Sequence, residues 1–246
     1  MILDIILLTH NRLENTLQCI DALYGNTQVP FQITVIDDST DLTPIYLSGL
    51  IKERGNVRVV NPDVVISSAN QAINIGLKQT QSNPVLFLCN STFVEPDWLP
   101  LSLKLMENIE KVGLVGFKLL FPFTSVIIEA GDHVYPDTKR VNMGRGLASH
   151  KYTHIRQVNA IGWAAILINR EALPKNGLEE DYYLGFVGVD DFDNCLEIKK
   201  RGWNIIYNGY GVVYHQLGRS ESNNWADVAE NNRRFIERWK GRVPPI

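Results

Sequence analysis

The chain has 246 residues, 45% apolar and 21% charged, with 24 Lys/Arg against 27 Asp/Glu for a formal net charge of −3. That balance is globular and long enough for a substantial core; it excludes a disordered chain and the strongly basic footprint of a non-specific nucleic-acid binder. The charge is uneven, since residues 199–246 carry nine Lys/Arg against four Asp/Glu and leave an acidic body before them. Cys19, Cys89 and Cys195 have neither a disulfide framework nor zinc-ligand spacing, which fits a reducing cytoplasmic setting. No apolar run approaches the roughly 20 residues of a membrane-spanning helix. MILDIILLTHNR has an acid inside its apolar stretch and no basic lead, so it reads as a strand rather than a signal peptide.

Ile2–Leu8, apolar and β-branched, predicts a buried parallel strand, followed by a turn at residues 9–12 and a helix with Leu13, Leu17, Ile20 and Leu23 on one face. Phe31–Ile36 is a second strand ending in Asp37-Asp38, and Pro44–Glu53 a helix capped by Thr43. Val57–Val60 is a strand, Ser68–Gln79 a helix, Val85–Cys89 a strand, and Trp98–Asn108 a helix capped by Asp97. This alternation implies βαβ units and a doubly wound sheet. Beyond Val112–Leu119 the rhythm breaks into short strand-like pieces across residues 121–160, then a strand at Ala164–Asn169 and a helix at Asp190–Lys200. Two short strands, Ile205–Tyr207 and Val212–Tyr214, precede a last helix, about Asn223–Lys240, with Trp225, Val228, Phe235 and Trp239 on a stripe that Asn232 interrupts. No repeat or linker divides the chain, so one domain over 1–246 is expected, in three stretches: 1–118, 119–220 and a C-terminal helix and tail (221–246).

Open α/β sheets bind ligands at the carboxyl ends of their strands. The polar residues expected there are Thr9-His10-Asn11-Arg12, Asp37-Asp38, Asn90-Ser91-Thr92 and, from the second half, Asp190-Asp191. Neither G-x-G-x-x-G nor a P-loop follows a strand, which argues against a dinucleotide enzyme and a P-loop NTPase.

The order of ILLTHNR, VIDDST, NIGL and VLFLCNSTFVEPDWL resembles the nucleotide-binding half of family 2 GT-A glycosyltransferases. GDHVYPDTKRVNMGRG, IGWAAILINREAL, GVDDFDNCLEIKKRGWNIIY and VVYHQLGRS continue the resemblance over about residues 1–220. It implies an α/β GT-A fold, Rossmann-like, with a mixed, mostly parallel sheet, and a sugar-nucleotide donor used in an inverting transfer to a hydroxyl acceptor.

The resemblance places Thr9, Asn11 and Arg12 at the lip of the donor pocket and Asp38, with Asp37, against the nucleobase. A carboxylate suits that place because it accepts the imide N–H of uracil or thymine; the other reading of the pair is a turn cap. Asn74 falls on the helix beside the diphosphate, or is a capping amide. Asp190-Asp191 opens a helix where the family carries its general base; Asp191 fills that role, Asp190 orients, and Asp193 supports the loop. The alternative is a carboxylate cluster favoured by the helix dipole. Trp163 falls where the family contacts sugar or acceptor, with core packing as its other reading, and Arg145 lies in a glycine-flanked basic loop near the acceptor.

One departure stands out at Cys89-Asn90-Ser91-Thr92, where the family reads N-x-D-T or D-x-D. The missing acid normally grips the divalent cation, Mn2+ or Mg2+, that neutralises the donor diphosphate. Three explanations are open: a metal held elsewhere, with His215 as the ligand that the resemblance implies and Asp190 or Glu95 helping; replacement by Arg or His side chains such as Arg145, His150, Arg219 or the C-terminal basic residues; or a non-catalytic sugar-nucleotide or glycan binding module. Arg233, Arg234, Arg238, Lys240 and Arg242 suggest peripheral contact with anionic lipid or a lipid-linked glycan, or else a solvated face balancing Glu230 and Glu237. A nucleotidyltransferase is the weaker rival, because THNRLENT offers no Gly-rich basic loop.

Overall fold

The computed structural model describes residues 2–62, 64–186, 189–217 and 225–246. Arg219, and Asn223 at the start of the last predicted helix, lie outside the described residues. The strands are β1 (Leu3–Thr9), β2 (Phe31–Asp37), β3 (Val57–Val60), β4 (Val85–Cys89), β5 (Thr92–Val94), β6 (Val112–Leu120), β7 (Ile127–Glu129), β8 (Asp132–Val134), β9 (Arg140–Asn142), β10 (Ile155–Gln157), β11 (Ala165–Ile168) and β12 (Asn204–His215). The helices are α1 (Leu13–Asn26), α2 (Thr43–Glu53), α3 (Ala69–Gln79), α4 (Pro100–Asn108), α5 (Asp190–Lys200) and α6 (Trp225–Trp239).

Alternate residues of a strand point to opposite faces, so a strand covered on both sides is apolar throughout. β1 shows this directly. Leu3, Ile5 and Leu7 pack in the core with Cys19, Ile20 and Leu23 of α1, whereas Ile6 and Leu8 pack in the core with Ile73 of α3, Leu196 of α5 and Trp239 of α6. Every residue of β1, β6 and β11 is buried.

The main sheet runs β10-β12-β6-β11-β4-β1-β2-β3, with β5 added to β12 and β7 to β6. β1, β2, β3 and β4 are parallel neighbours, as are β6 and β12, while β11 runs antiparallel between β4 and β6. This is the mixed, mostly parallel sheet the sequence implies. Its polarity gathers the carboxyl ends of β1, β2, β4, β6 and β12 on one edge, together with the amino end of β11.

Four local expectations are corrected. Asp97 does not cap α4: it sits in a left-handed conformation (φ 58°), Leu99 is the cap, and Pro100 supplies the preset first turn. Trp98 is pulled out of the helix because its ring is fully buried against Phe117, 4.9 Å between centroids. Thr43 is the first helical residue of α2 rather than its cap; its N–H is received by Asp41 at 2.9 Å. The two predicted late strands are one, β12, which continues through a bulge at 208–212. Gly209 and Gly211 make that bulge because a Cβ there would lie 2.1 Å from the Tyr152 carbonyl and 2.5 Å from that of Trp98.

The fourth correction concerns α6. Its buried stripe is Asn231, Phe235 and Trp239, whereas Trp225 is 78% exposed. Asn231 replaces an apolar residue because its amide brackets Leu184, accepting its N–H at 2.8 Å and donating to its carbonyl at 2.9 Å. The basic face of this helix is largely paired within the fold: Arg233 with Glu230 and Glu237, Arg234 with Glu230, and Arg238 with Glu179, Asp193 and Glu197. Lys240 and Arg242 are exposed. Among the described residues no helix is long and apolar enough to cross a membrane.

Candidate active site

At the first end of the sheet edge, Asp37 is spent on building the loops. Its Oδ1 accepts the Thr9 hydroxyl at 2.7 Å and the Ser39 hydroxyl at 2.6 Å, and Asn61 donates to its backbone carbonyl at 3.2 Å. Asn11 performs the matching task from the β1 side, its Oδ1 accepting the N–H groups of Thr40 (2.7 Å) and Asp41 (3.2 Å). Asn11 and Arg12 are both left-handed, at φ 55° and 61°, a conformation Asn tolerates and that costs Arg free energy. Asn90 closes the assembly, donating to the Asn11 carbonyl and the Thr16 hydroxyl at 3.0 Å each. Asp38 is left facing the edge, with Oδ1 2.8 Å from Nδ1 of the exposed His10. Arg12 is exposed beside it.

At the tip of β5, Thr92 stands opposite His215 of β12, and the Gln216 N–H reaches the Ser91 carbonyl at 2.9 Å. Ser91 therefore stands one register position from His215, opposite Gln216. Burial pulls the His215 imidazole down to about 4, so it is neutral at neutral pH.

The second half supplies a group of buried carboxyls. α5 opens with Asp190 and Asp191, and Asp191 Oδ1 accepts the Phe192 N–H at 2.8 Å. Burial pushes Asp191 well above the usual carboxylate range, reinforced by Asp190 and Glu129 and opposed by Arg140. Glu129, at the end of β7, accepts the Gly162 N–H at 2.5 Å. Glycine at 162 leaves room for this carboxylate, since a Cβ there would lie 2.4 Å from Glu129 Oε2. Asp132 of β8 accepts Asn142 Nδ2 at 3.0 Å through Oδ1, and its buried Oδ2 has no partner among the described residues. Burial raises it strongly, with Glu129 and Asp191 adding to the effect. Arg140 sits over the rings of Phe192 and Phe235, at 5.2 and 5.0 Å, and is the cation that opposes the rise at Asp191.

Residues 4–159 match the model of the glycosyl transferase family 2, more than half of the chain. The chain belongs to glycosyl transferase family 2. Its fold is that of the GT-A glycosyltransferases: GalNAc-T7, solved with UDP, GalNAc and Mn2+, superposes with a TM-score of 0.73 at 15% identity, over 96% of this chain and 48% of that one. The mannosyltransferase PcManGT from Pyrobaculum calidifontis, solved with GDP-Man and Mn2+, gives 0.65 at 17% identity over 91% and 59%. S. aureus TarS 1-349 gives 0.61 at 16% identity over 87% and 60%. Protein y4gI of Sinorhizobium fredii is 25% identical over 245 residues, 95% of this chain and 26% of that protein. The chain thus spans about a quarter of this relative and about half to three fifths of the solved glycosyltransferases.

In this family 2 chain the sequence-named residues divide into those facing the edge and those built into its frame. Asp38, Arg12, Ser91, His215, Asp190 and Asp191 lie along the carboxyl edge, and Arg145 is exposed on the turn that pairs with β7 through Gly146 and Ile127. Thr9, Asn11, Asp37 and Asn90 are structural supports of that edge. Two placements differ from expectation. Trp163 is 7% exposed with its indole N–H directed at the Cys195 sulfur, 3.4 Å away, so its face is used in packing. Asn74 is also committed: it donates to the Leu178 carbonyl (2.8 Å) and Glu180 (2.7 Å) and accepts the Leu178 N–H (2.9 Å), pinning the segment before α5. Asp193 ties α5 to α6 through Tyr183 and Trp239.

A divalent cation of the kind held by these neighbours does not fit the residues present. The acid position holds a hydroxyl, the Asn90 amide is engaged, and Thr92 donates its hydroxyl to the Cys89 carbonyl at 2.7 Å. Among the described residues no three His, Cys, Asp or Glu side chains converge on a common point.

Glu129, Asp132 and Arg140 were not singled out from the sequence. The available signal was Glu129 itself, a lone acid closing the apolar run VII. Burial raises Glu129 to about 7, with the Gly162 N–H and Arg145 opposing. A folded pKa above the unfolded value means that Glu129 costs nothing below about pH 4.5, destabilises increasingly between about 4.5 and 7, and by a constant amount above that. Glu129→Gln keeps an oxygen for the Gly162 N–H without the charge. It is expected to be more stable than wild type at pH 8 by about 1–3 kcal/mol, with the difference vanishing near pH 4.5. Urea unfolding across that range checks this, and a pH-independent difference would contradict it.

Proposed function

We propose that this chain transfers a sugar from a UDP- or dTDP-sugar to a hydroxyl of a glycan or lipid-linked glycan acceptor, with inversion at the anomeric carbon. The observation that carries the reading is Asp191, a carboxyl held at the start of α5 on the ligand-binding edge in surroundings that raise its proton affinity. A base works best when its pKa is near the working pH, and burial supplies that shift.

In this reading Asp38 accepts the imide N–H of the base, within loops fixed by Asp37, Asn11 and Asn90. Asp191 takes the acceptor hydroxyl proton as that oxygen attacks the anomeric carbon opposite the departing nucleoside diphosphate. The O–H bond breaks to Asp191, the new C–O bond forms, and the C–O bond to diphosphate breaks with its electron pair leaving on phosphate. One displacement inverts the centre, so one base is enough. Asp190 orients, while Arg140 and the neighbouring acids set the proton affinity of Asp191. The neighbours' complexes with UDP and GDP-Man support a nucleotide-sugar donor.

A second reading, a non-catalytic sugar-nucleotide or glycan binding domain, is favoured by Ser91 in place of the acid. Titration with UDP, dTDP and GDP tests what both share. At 100 times Kd a nucleotide adds about 2.7 kcal/mol of stability, or roughly 5–10 °C in Tm for a chain of this size. No shift with any of the three would remove both readings.

A further inference from the structure

We infer that this site holds the donor diphosphate without a divalent cation, through the Ser91 hydroxyl and the His215 imidazole acting as hydrogen-bond donors. The inference rests on the transferase reading of the same edge and gives its phosphate subsite a chemistry different from that of the Mn2+-containing neighbours.

Mg2+ and Mn2+ favour carboxylate oxygens, and an anionic ligand is what holds them between water and diphosphate. Here the position carries Ser91, and each nearby alternative is already engaged. Asn90 donates to the Asn11 carbonyl and the Thr16 hydroxyl. The Thr92 hydroxyl is turned inward to the Cys89 carbonyl. Glu95 lies close enough to Tyr214 to raise its pKa, and Asp38 faces His10. A cation would be left with the neutral His215 imidazole and, from the start of α5, Asp190, without the acid that residue 91 lacks.

The same loop is well made for a hydrogen-bonded anion. Pairing of Thr92 with His215 and the Gln216 N–H to the Ser91 carbonyl fix Ser91 and His215 on adjoining segments, one position apart in register. Neither the Ser91 hydroxyl nor the His215 ring has a hydrogen-bond partner among the described residues. Ser91 is nearly buried, so a phosphate oxygen there would meet donors with little competing water. Replacing Asp by Ser also removes a negative charge that would repel the diphosphate once no cation stood between them. The remaining charge is left to the exposed guanidinium groups of this edge, Arg12 and Arg145.

The test uses the whole chain and UDP, dTDP and GDP as probes, with affinity read by calorimetry after dialysis against EDTA and again with MnCl2. The expected result is one nucleotide whose Kd in EDTA and in Mn2+ agrees within about twofold. Ser91→Ala and His215→Ala should each weaken it about tenfold in both buffers, the loss of one hydrogen bond to a charged group. Ser91→Asp should bind more weakly in EDTA and gain about tenfold or more when Mn2+ is added, with unfolding curves confirming that each variant is folded. Wild-type binding that disappears in EDTA and returns with Mn2+ would overturn the inference and leave the transferase reading standing. Absence of binding in both buffers for all three nucleotides would overturn the transferase reading and the inference with it.

Discussion

Asp191→Asn is expected to lower sugar-nucleotide turnover by about 10²–10⁴-fold, the usual worth of a positioned general base. The change is nearly isosteric and retains an oxygen for the Phe192 N–H that Asp191 now accepts at 2.8 Å. Nucleotide affinity should therefore be unchanged, placing the loss in kcat rather than in donor binding. Stability should hold or rise, because the substitution relieves the burial of a carboxyl surrounded by Asp190 and Glu129. The wild-type rate should climb with pH through a value well above the ordinary carboxylate range, since the proton-free form is the base. A variant with wild-type turnover would show that another group removes the proton.

The largest effect on stability is expected at Asp193, two residues along the same helix and differently engaged from Asp191. Its Oδ1 receives the Trp239 indole N–H at 2.5 Å and the Tyr183 hydroxyl at 3.0 Å, and lies 3.3 Å from Arg238 Nε. Asp193→Ala strands the buried Trp239 and Tyr183 donors and takes one of three carboxylate partners from Arg238, which keeps Glu179 and Glu197. Breaking a buried charged network from one side costs about 3–5 kcal/mol, which lowers Tm by roughly 10 °C for a chain of this length. Asp193→Asn keeps one acceptor and should lose less. A loss for Asp193→Ala below about 1 kcal/mol would mean that α6 is held by the burial of Phe235 and Trp239 alone.

The contrast between neighbouring aspartates shows where sequence reading succeeds. β1 to β4 and the start of α5 follow from uninterrupted apolar runs and from acids at a helix opening, signals that are local. The carboxyl edge follows in turn from strand polarity. What escaped depends on contacts between distant segments. Asp97 has the chemistry of a cap, yet burial of Trp98 against Phe117 and the preset turn of Pro100 shift α4 onward. Residues 205–214 read as two short strands until the Tyr152 and Trp98 backbones show why glycine is needed at 209 and 211 in a continuous one. The stripe on α6 uses Asn231 because the Leu184 backbone needs both a donor and an acceptor.

The site follows the same division. Asp38 and Asp191 can be named from order and type because each closes a strand or opens a helix. Trp163 and Asn74 have suitable chemistry, but Cys195 and Leu178 engage them from elsewhere in the chain. Glu129 and Asp132 are separated from Asp191 by about 60 residues and meet it through pairing of β7 with β6 and the turn into β8. No local pattern marks such a group.

The account centres on single-displacement transfer from a sugar nucleotide with Asp191 as base. Proton NMR of wild type and Asp191→Asn, each incubated with UDP-, dTDP- and GDP-sugars, reads it most directly, since water can serve as acceptor in the absence of a glycan. The account predicts nucleoside diphosphate release from one donor series by wild type, a first-formed free sugar of inverted anomeric configuration, and neither product from Asp191→Asn above background. A first-formed sugar of retained configuration, or equal release by the variant, would contradict it.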